Sequence, residues 1–415
     1  MLRTFGLQQG IYHSHSAYPR NSFSVIFLNV RAPYDPKRIR ETLVQLWRMY
    51  IKLQKGIIPD IDIPKKKNPH HGNLSVLMGY GPKFFEIVGL KKRTPLFLNK
   101  KWLFQDPKQG GDPILPGVGL KYTDNIPSDD VGKADFIFQF IGDTQLATNR
   151  PIVETWKLLR KIDIEVSQSP IVMRSFFTGF NRPDGRGWLG FHDGVSNIRS
   201  SERLRKIQIN KQDLNPDDYW TASGTYMAFL RVIIDLTVWE SIPVPDQERI
   251  VGRAKTTGCP LIKVDNRGNN IFAGGCPVPG TSEIIYSGNK RFREYGPTYG
   301  VRNVYSRATS SPEKSHVGRM HNVPVQIFRQ GYEFLEAINK YPYFRVGLNF
   351  VSFQSGTDRL FRIIRHGFDR VNFAGDPTKV IPGTDRLLSV QAAGIFLVPP
   401  FSRGEEFPGD TIFGK

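Results

Sequence analysis

Ser24-Val25-Ile26-Phe27-Leu28-Asn29-Val30 reads as a buried strand, and its pairing with the helical segment just after it decides the fold. The run is apolar and rich in β-branched and aromatic side chains, which suit a pleated, covered surface. After the turn Pro33-Tyr34-Asp35-Pro36, the residues Ile39, Leu43, Leu46, Trp47 and Tyr50 recur at helical spacing on one face. The same plan returns in the second half. Tyr226-Met227-Ala228-Phe229-Leu230-Arg231-Val232-Ile233 reads as another strand, followed by Asp235 and helical segments around Trp239 and from Pro245 to Gly252.

A second pair of segments repeats the theme. Asp135 to Ile141 alternates as a strand, and Gly142-Asp143 leads into a helix ending near Leu159. Val346 to Phe353 reads as a strand followed by a helix through Leu360 and Ile364. Between the first pair, Leu74 to Tyr80 is a strand, and Gly81-Pro82 opens a helix with proline in its first turn. Each half thus shows strand–helix, a middle section, then strand–helix. That order predicts an α+β fold of two ferredoxin-like halves, antiparallel sheets with helices, related by internal duplication of pattern. The halves meet near Lys161 to Ser175, which divides the chain into 1–165 and 166–415. Lys101 to Val118 and Asp265 to Ser315 are rich in Gly, Pro and charge and are predicted as long surface loops.

A chain of 415 residues fits two domains, or one large domain of two similar halves. Hydrophobic content of 39% and aromatic content of 12% supply a sizeable core, and no apolar run is long enough to span a bilayer. Met1 to Gln9 has neither a long apolar region nor a twin arginine, which predicts a cytoplasmic protein. The net charge of +19 raises nucleic acid as a partner. The basic residues are scattered, however, in short clusters such as Lys65-Lys66-Lys67 and Lys91-Lys92-Arg93, and no zinc finger or helix-turn-helix accompanies them. A positive field that attracts anionic substrates is the better reading. The two cysteines, Cys259 and Cys276, sit in matching Gly-Cys-Pro contexts and read as loop or core thiols before a disulfide or thiolate ligand.

The candidate chemistry begins at Gly190-Phe191-His192-Asp193-Gly194. Aspartate before glycine is first of all a turn. Trp188, Leu189 and Phe191 place Asp193 near a dry wall, where a carboxylate can be tuned for proton transfer. His316 and His321 are five apart and would point to different sides of a helix, so one of them could serve a given metal; both also read as surface histidines. Arg329 follows the apolar run Val325-Gln326-Ile327-Phe328 and is either an interface ion pair or an anion-stabilising group. No phosphate loop, nucleophile elbow or metalloprotease helix is present.

Taken in chain order, these segments resemble the dye-decolourising heme peroxidase family. The resemblance runs from about Ser24 to Phe413. It rests on Gly190 to Gly194, Gly224 to Arg231, Asp235, Trp239, Ile250 to Arg253, Thr257 to Leu261, Ser315-His316-Val317, Arg329 to Tyr332 and Gly347 to Gln354. It implies two ferredoxin-like halves with heme b in the C-terminal one. His316 would be the axial ligand of the heme iron, Asp193 and Arg329 the catalytic pair, Leu348 and Phe350 an apolar wall, and Asn197 and Arg199 helpers at the heme propionates. Where the family often has Asn-Pro, Met320-His321-Asn322-Val323-Pro324 has a valine between the two, which leaves His321 as a second candidate ligand.

The implied activity is reduction of hydrogen peroxide and oxidation of dyes, phenols or other one-electron donors through a ferryl intermediate. The alternative is a deferrochelatase-like heme-binding or iron-handling protein. Expected partners are hydrogen peroxide and a reducing small molecule, with no direct nucleic acid, no membrane, and room for a homo-oligomer.

Overall fold

The computed structural model describes residues 6–8, 10–11, 21–59, 72–95, 97–98, 131, 133–166, 168–182, 186–192, 197–198, 200–259, 261–272, 326–357, 359 and 387–414. The first half is built from β1 (Ser22–Val30), α1 (Pro36–Gln54), β2 (Ser75–Tyr80), β3 (Phe136–Gly142), α2 (Gln145–Val166) and β4 (Ile171–Phe180). All its strand pairs are antiparallel, in the order β4-β1-β3-β2. The second half contains α3 (Ser200–Ile207), β5 (Thr225–Ile234), α4 (Leu236–Glu240), α5 (Val244–Val251), the hairpin β6 (Leu261–Val264) and β7 (Asn270–Phe272), β8 (Phe328–Ala337), β9 (Phe344–Gln354) and β10 (Leu388–Val398). Its main sheet runs β10-β5-β9-β8, so the last strand, first, third and second of that half stand in the same order as in the other. The duplicated α+β plan is therefore present strand for strand.

The capping residues repeat as well. Asp35 accepts from the N–H groups of Lys37 and Arg38 at the start of α1, and Asp235 does the same for Thr237 and Val238 at α4. In each half an aspartate after the first strand satisfies the orphan donors of the next helix.

The two sheets close into one eight-stranded barrel. One seam pairs β2 with β10 at Tyr80 and Leu397, and the other pairs β4 with β8 at Phe180 and Glu333. Alternate side chains then point in or out. The interior is filled by Phe23, Val25, Phe27, Ile137, Met227, Phe229, Tyr332, Val351, Phe353 and Phe396. It also takes the guanidinium of Arg231, sandwiched between the rings of Phe177 and Phe334 at 4.5 and 3.4 Å and hydrogen-bonded to Gln391, Asn349 and Glu336. Outside the first sheet, α1 lays Ile39, Leu43, Leu46 and Tyr50 on Phe138 and Phe140, with Ile152 and Leu159 of α2 in the same core.

Several expectations shift. A division at 165/166 would cut the first sheet, because β4 pairs with β1 along its length from Ser22 opposite Phe180 to Val30 opposite Ile171. α2 runs beyond Leu159 to Val166, since Ile162 still faces the core. The segment opened by Pro82 is only a short 3-10 turn, Pro82–Glu86, anchored by Phe84 and Phe85. The strand expected before Arg329 begins at Phe328 and carries Arg329 within it, because Phe328, Tyr332 and Phe334 alternate inward through Ala337. Cys259 is disulfide-bonded rather than a thiol. Cys276, the loop 101–118 and the helix through Leu360 and Ile364 lie outside the described residues, as does most of 265–315. Among the described residues, no helix is long and apolar enough to cross a membrane.

Asp135 ties three strands at one barrel end. Its carboxylate accepts from the N–H of Val30 at 2.8 Å, its own N–H donates to Leu28, and its carbonyl accepts from Gly81. Burial pushes its carboxyl up from 3.8 to about 6, against the Val30 hydrogen bond and Lys83, which lower it. The folded protein therefore holds this proton more tightly than the unfolded chain. Stability falls as pH rises from about 4 through 6, by roughly 3 kcal/mol in total. Asp135→Asn keeps an oxygen for Val30. It should unfold at higher denaturant than the parent at pH 7, with the difference shrinking toward pH 4 in urea titrations.

Candidate functional site

The site is laid out by strand register. β8 and β9 set Arg329 opposite Ser352, Gly331 opposite Phe350 and Glu333 opposite Leu348. β5 continues the rows with Leu230 opposite Phe350 and Val232 opposite Leu348. Their neighbours Phe328, Tyr332, Val351 and Phe353 fill the barrel, so these residues share the opposite, outer face. That face is apolar around Leu230, Val232, Leu348 and Phe350, with Arg329 and Glu333 along its β8 side. Leu348, Phe350 and Val232 on it are only half-buried.

The turn from Gly187 to Gly190, which leads into Phe191 and His192, is anchored beside this sheet by three side chains. Arg186 donates from Nη1 to the carbonyls of Gly190 at 2.5 Å and Lys255 at 2.6 Å, and from Nη2 to Thr256 at 3.0 Å. Trp239 donates from its indole to the carbonyl of Leu189 at 3.2 Å and packs its ring edge-on against Phe191. Glu333 accepts from the backbone N–H of Trp188 at 2.6 Å, and the Trp188 indole donates to the carbonyl of Phe334. Gly190 closes the turn at φ +83, a backbone conformation that favours glycine, and a Cβ there would stand 2.5 Å from Cε of Lys255 and push that side chain aside. Phe191 and His192 are buried.

The segment after the turn grips the strand that carries Arg329. Asn197 donates from Nδ2 to the Arg329 carbonyl at 2.7 Å and accepts from the Arg329 N–H at Oδ1 at 3.1 Å. The carboxamide thus acts as one more strand against β8, a different task from holding a propionate. Of the residues singled out in the sequence, Arg329, Asn197, Leu348 and Phe350 come together on or beside one sheet face. Asp193, Arg199, His316 and His321 lie outside the described residues. Among the described residues, no group of three metal-ligating side chains occurs.

Arg186 and Glu333 were not foreseen as parts of the site. Arg186 leaves one mark in the sequence, a charge set between Gly185 and Gly187 where a plain turn needs none. Glu333 looks like any polar strand residue until the register places it by Leu348.

The comparisons with known proteins converge. The family model for the C-terminal part of Dyp-type peroxidases matches residues 184–402, more than half of the chain. A dye-decolorizing peroxidase of Mycobacterium tuberculosis is 30% identical over 140 residues, covering 33% of this chain and 40% of the relative. One from Thermobifida fusca is 25% identical over 231 residues, covering 55% and 46%. The chain thus spans less than half the length of these curated relatives. A deferrochelatase of Escherichia coli K12 is 32% identical over 75 residues, 18% of each chain. Among solved structures, a DyP-type peroxidase from Cellulomonas bogoriensis superposes with a TM-score of 0.68 at 17% identity, over 99% of this chain and 97% of that one. A Rhodococcus jostii variant solved in complex with heme gives 0.57 at 16%, over 96% of each. At these identities the structural likeness speaks to the fold.

The Asn197 grip makes a stability prediction. Asn197→Ala leaves a backbone N–H and carbonyl of Arg329 unmatched in a part-buried setting, which should cost about 1–3 kcal/mol. Arg329→Leu keeps that main-chain grip and should cost less. Urea midpoints of the two variants check the order, and the reverse order would mean that the Arg329 side chain, not its main chain, matters to the fold.

Proposed function

The chain belongs to the Dyp-type peroxidase family, and on that premise we propose that it is a heme peroxidase that reduces hydrogen peroxide and oxidises small one-electron donors. The observation that supports this reading most is the half-buried apolar face of Leu348, Phe350 and Val232 beside Arg329, whose main chain is held by Asn197. An apolar sheet face suits the flat apolar macrocycle of heme, and a cation alongside suits an anion taken up beside it. When bound, heme would supply the iron that takes up peroxide and the electrons that cleave its O–O bond.

The protein's own groups divide the rest of the work. His316 would hold the iron through an imidazole nitrogen. The Asp193 carboxylate would take the proton from one peroxide oxygen and return it to the other, so that water can leave. The Arg329 guanidinium would offset the negative charge that grows on the departing oxygen. Leu348 and Phe350 would keep the pocket narrow and dry and hold bulky donors at a distance. The partners proposed with this reading are hydrogen peroxide and a reducing small molecule. The sequence reading also proposes the cytoplasm. The disulfide at Cys259 weighs against that, because such bonds persist where thiols are not kept reduced.

The test starts from purified protein and added hemin. A Soret band, and peroxide-driven oxidation of a phenol or dye with the heme recovered intact, are expected. Release of iron from heme without turnover would favour the deferrochelatase-like reading instead. Asp193→Asn and Arg329→Leu should each slow the peroxide reaction by roughly a hundredfold or more while the Soret band is kept. His316→Ala should lose or shift that band, and an unchanged band would move the ligand to His321.

A further inference from the structure

Two polar groups on the outer face of the second sheet are fully buried with no hydrogen-bond partner among the described residues. They are the phenol Oη of Tyr226 and the amide Nε2 of Gln354, and both residues are 0% exposed. They are neighbours, because β5 and β9 pair with Tyr226 opposite Gln354, so both side chains leave the same face. Ser352, two residues back on that face, donates from Oγ to Oε1 of Gln354 at 3.0 Å. Ser352 in turn stands opposite Arg329 on β8. Tyr226, Gln354, Ser352 and Arg329 therefore form a polar row that steps diagonally across three strands, from the Tyr226–Gln354 pair to the Ser352–Arg329 pair.

The far end of the row carries two donors. A buried phenol and a buried amide on directly paired residues that do not bond each other are both left wanting an acceptor, and native proteins answer such orphans with water. Burial and the charge of Asp218 push the Tyr226 phenol pKa up, so its O–H is a permanent donor. A water there can accept from the phenol and from the amide at once. That arrangement also fixes which way Gln354 faces. With Nε2 turned to the water, Oε1 is left to take the single Ser352 proton. The Ser352 hydroxyl then offers its lone pairs, rather than its proton, to the strand that carries Arg329. With Gln354 reversed, the polarity of the whole row reverses.

We propose that an ordered water binds between Tyr226 Oη and Gln354 Nε2, and that Tyr226 acts through it, Gln354 and Ser352 as a positioning residue for the Arg329 guanidinium. The claim on Arg329 rests on the heme peroxidase reading; the claim on the water does not.

Tyr226→Phe tests both. In the protein without heme, removal of a water-bridged hydroxyl should lower the unfolding temperature. Removal of a hydroxyl that has no partner should raise it, and a rise overturns the water site. In the hemin-loaded ferric protein, fluoride is the probe, because a bound anion reports on the guanidinium without any turnover. Tyr226→Phe should bind fluoride at least fivefold more weakly with its Soret band unchanged, and equal affinity overturns the positioning role. Should that variant not fold, Gln354→Met removes the same link and is read the same way. A parent protein that takes up no hemin would sink the heme reading, and with it the claim on Arg329. The sign of the temperature shift would then decide the water alone.

Discussion

Two short seams carry the architecture. A four-stranded antiparallel sheet has two open edges, each a row of unpaired N–H and carbonyl groups. Here the edge strand β2 meets β10 and the edge strand β4 meets β8, so each half covers the edges of the other. Closure demands that the inward side chains of both sheets fill a common interior. The stacked rings of Phe23 with Tyr332 and of Phe177 with Phe229, each from different halves, are that filling. Neither half could expose its inner face alone without leaving a large apolar surface in water.

The candidate site depends on this closure. Once one side of β8, β9 and β5 is turned into the barrel, their other residues must face outward, which sets Arg329, Leu348 and Phe350 on one surface. The turn at Trp188 to Gly190 is then pinned to that surface from three sides, by Arg186, Trp239 and Glu333. The grip of Asn197 on Arg329 adds a fourth tie, this one to the main chain. Rigid neighbours of this kind suit groups whose chemistry tolerates little displacement.

Much of the scaffold was legible in the sequence because its signals are local. The apolar run at Ser24 to Val30 and the helical spacing from Ile39 to Tyr50 are periodic within a few turns, and β1 and α1 match them closely. Tyr226 to Ile233 and Val346 to Phe353 were recognisable for the same reason. The barrel was not legible, since its seams join residues as distant as Tyr80 and Leu397, and no local pattern encodes that pairing. The residues of β4 fell in the second half because no strand was read there: Arg174 and Ser175 break its apolar run, and neither alternation nor a continuous run marks it. At the site, Arg329, Leu348 and Phe350 were found through motif order. Asn197 was noticed for its place in the motif, but its side-chain hydrogen bonds go to backbone atoms, which carry no residue identity to read.

The equal strand order of the two halves has a consequence for descent. The outer face of the first sheet is taken up by α1 and α2, packed as a finished core, while the outer face of the second holds the half-buried Leu348 and Phe350. Two copies of one plan have divided their labour. The first preserves the frame, and the second is free to vary its surface residues without disturbing the interior that both copies share. New surface chemistry would arise by drift on one face of one copy, under the shelter of its unchanged twin.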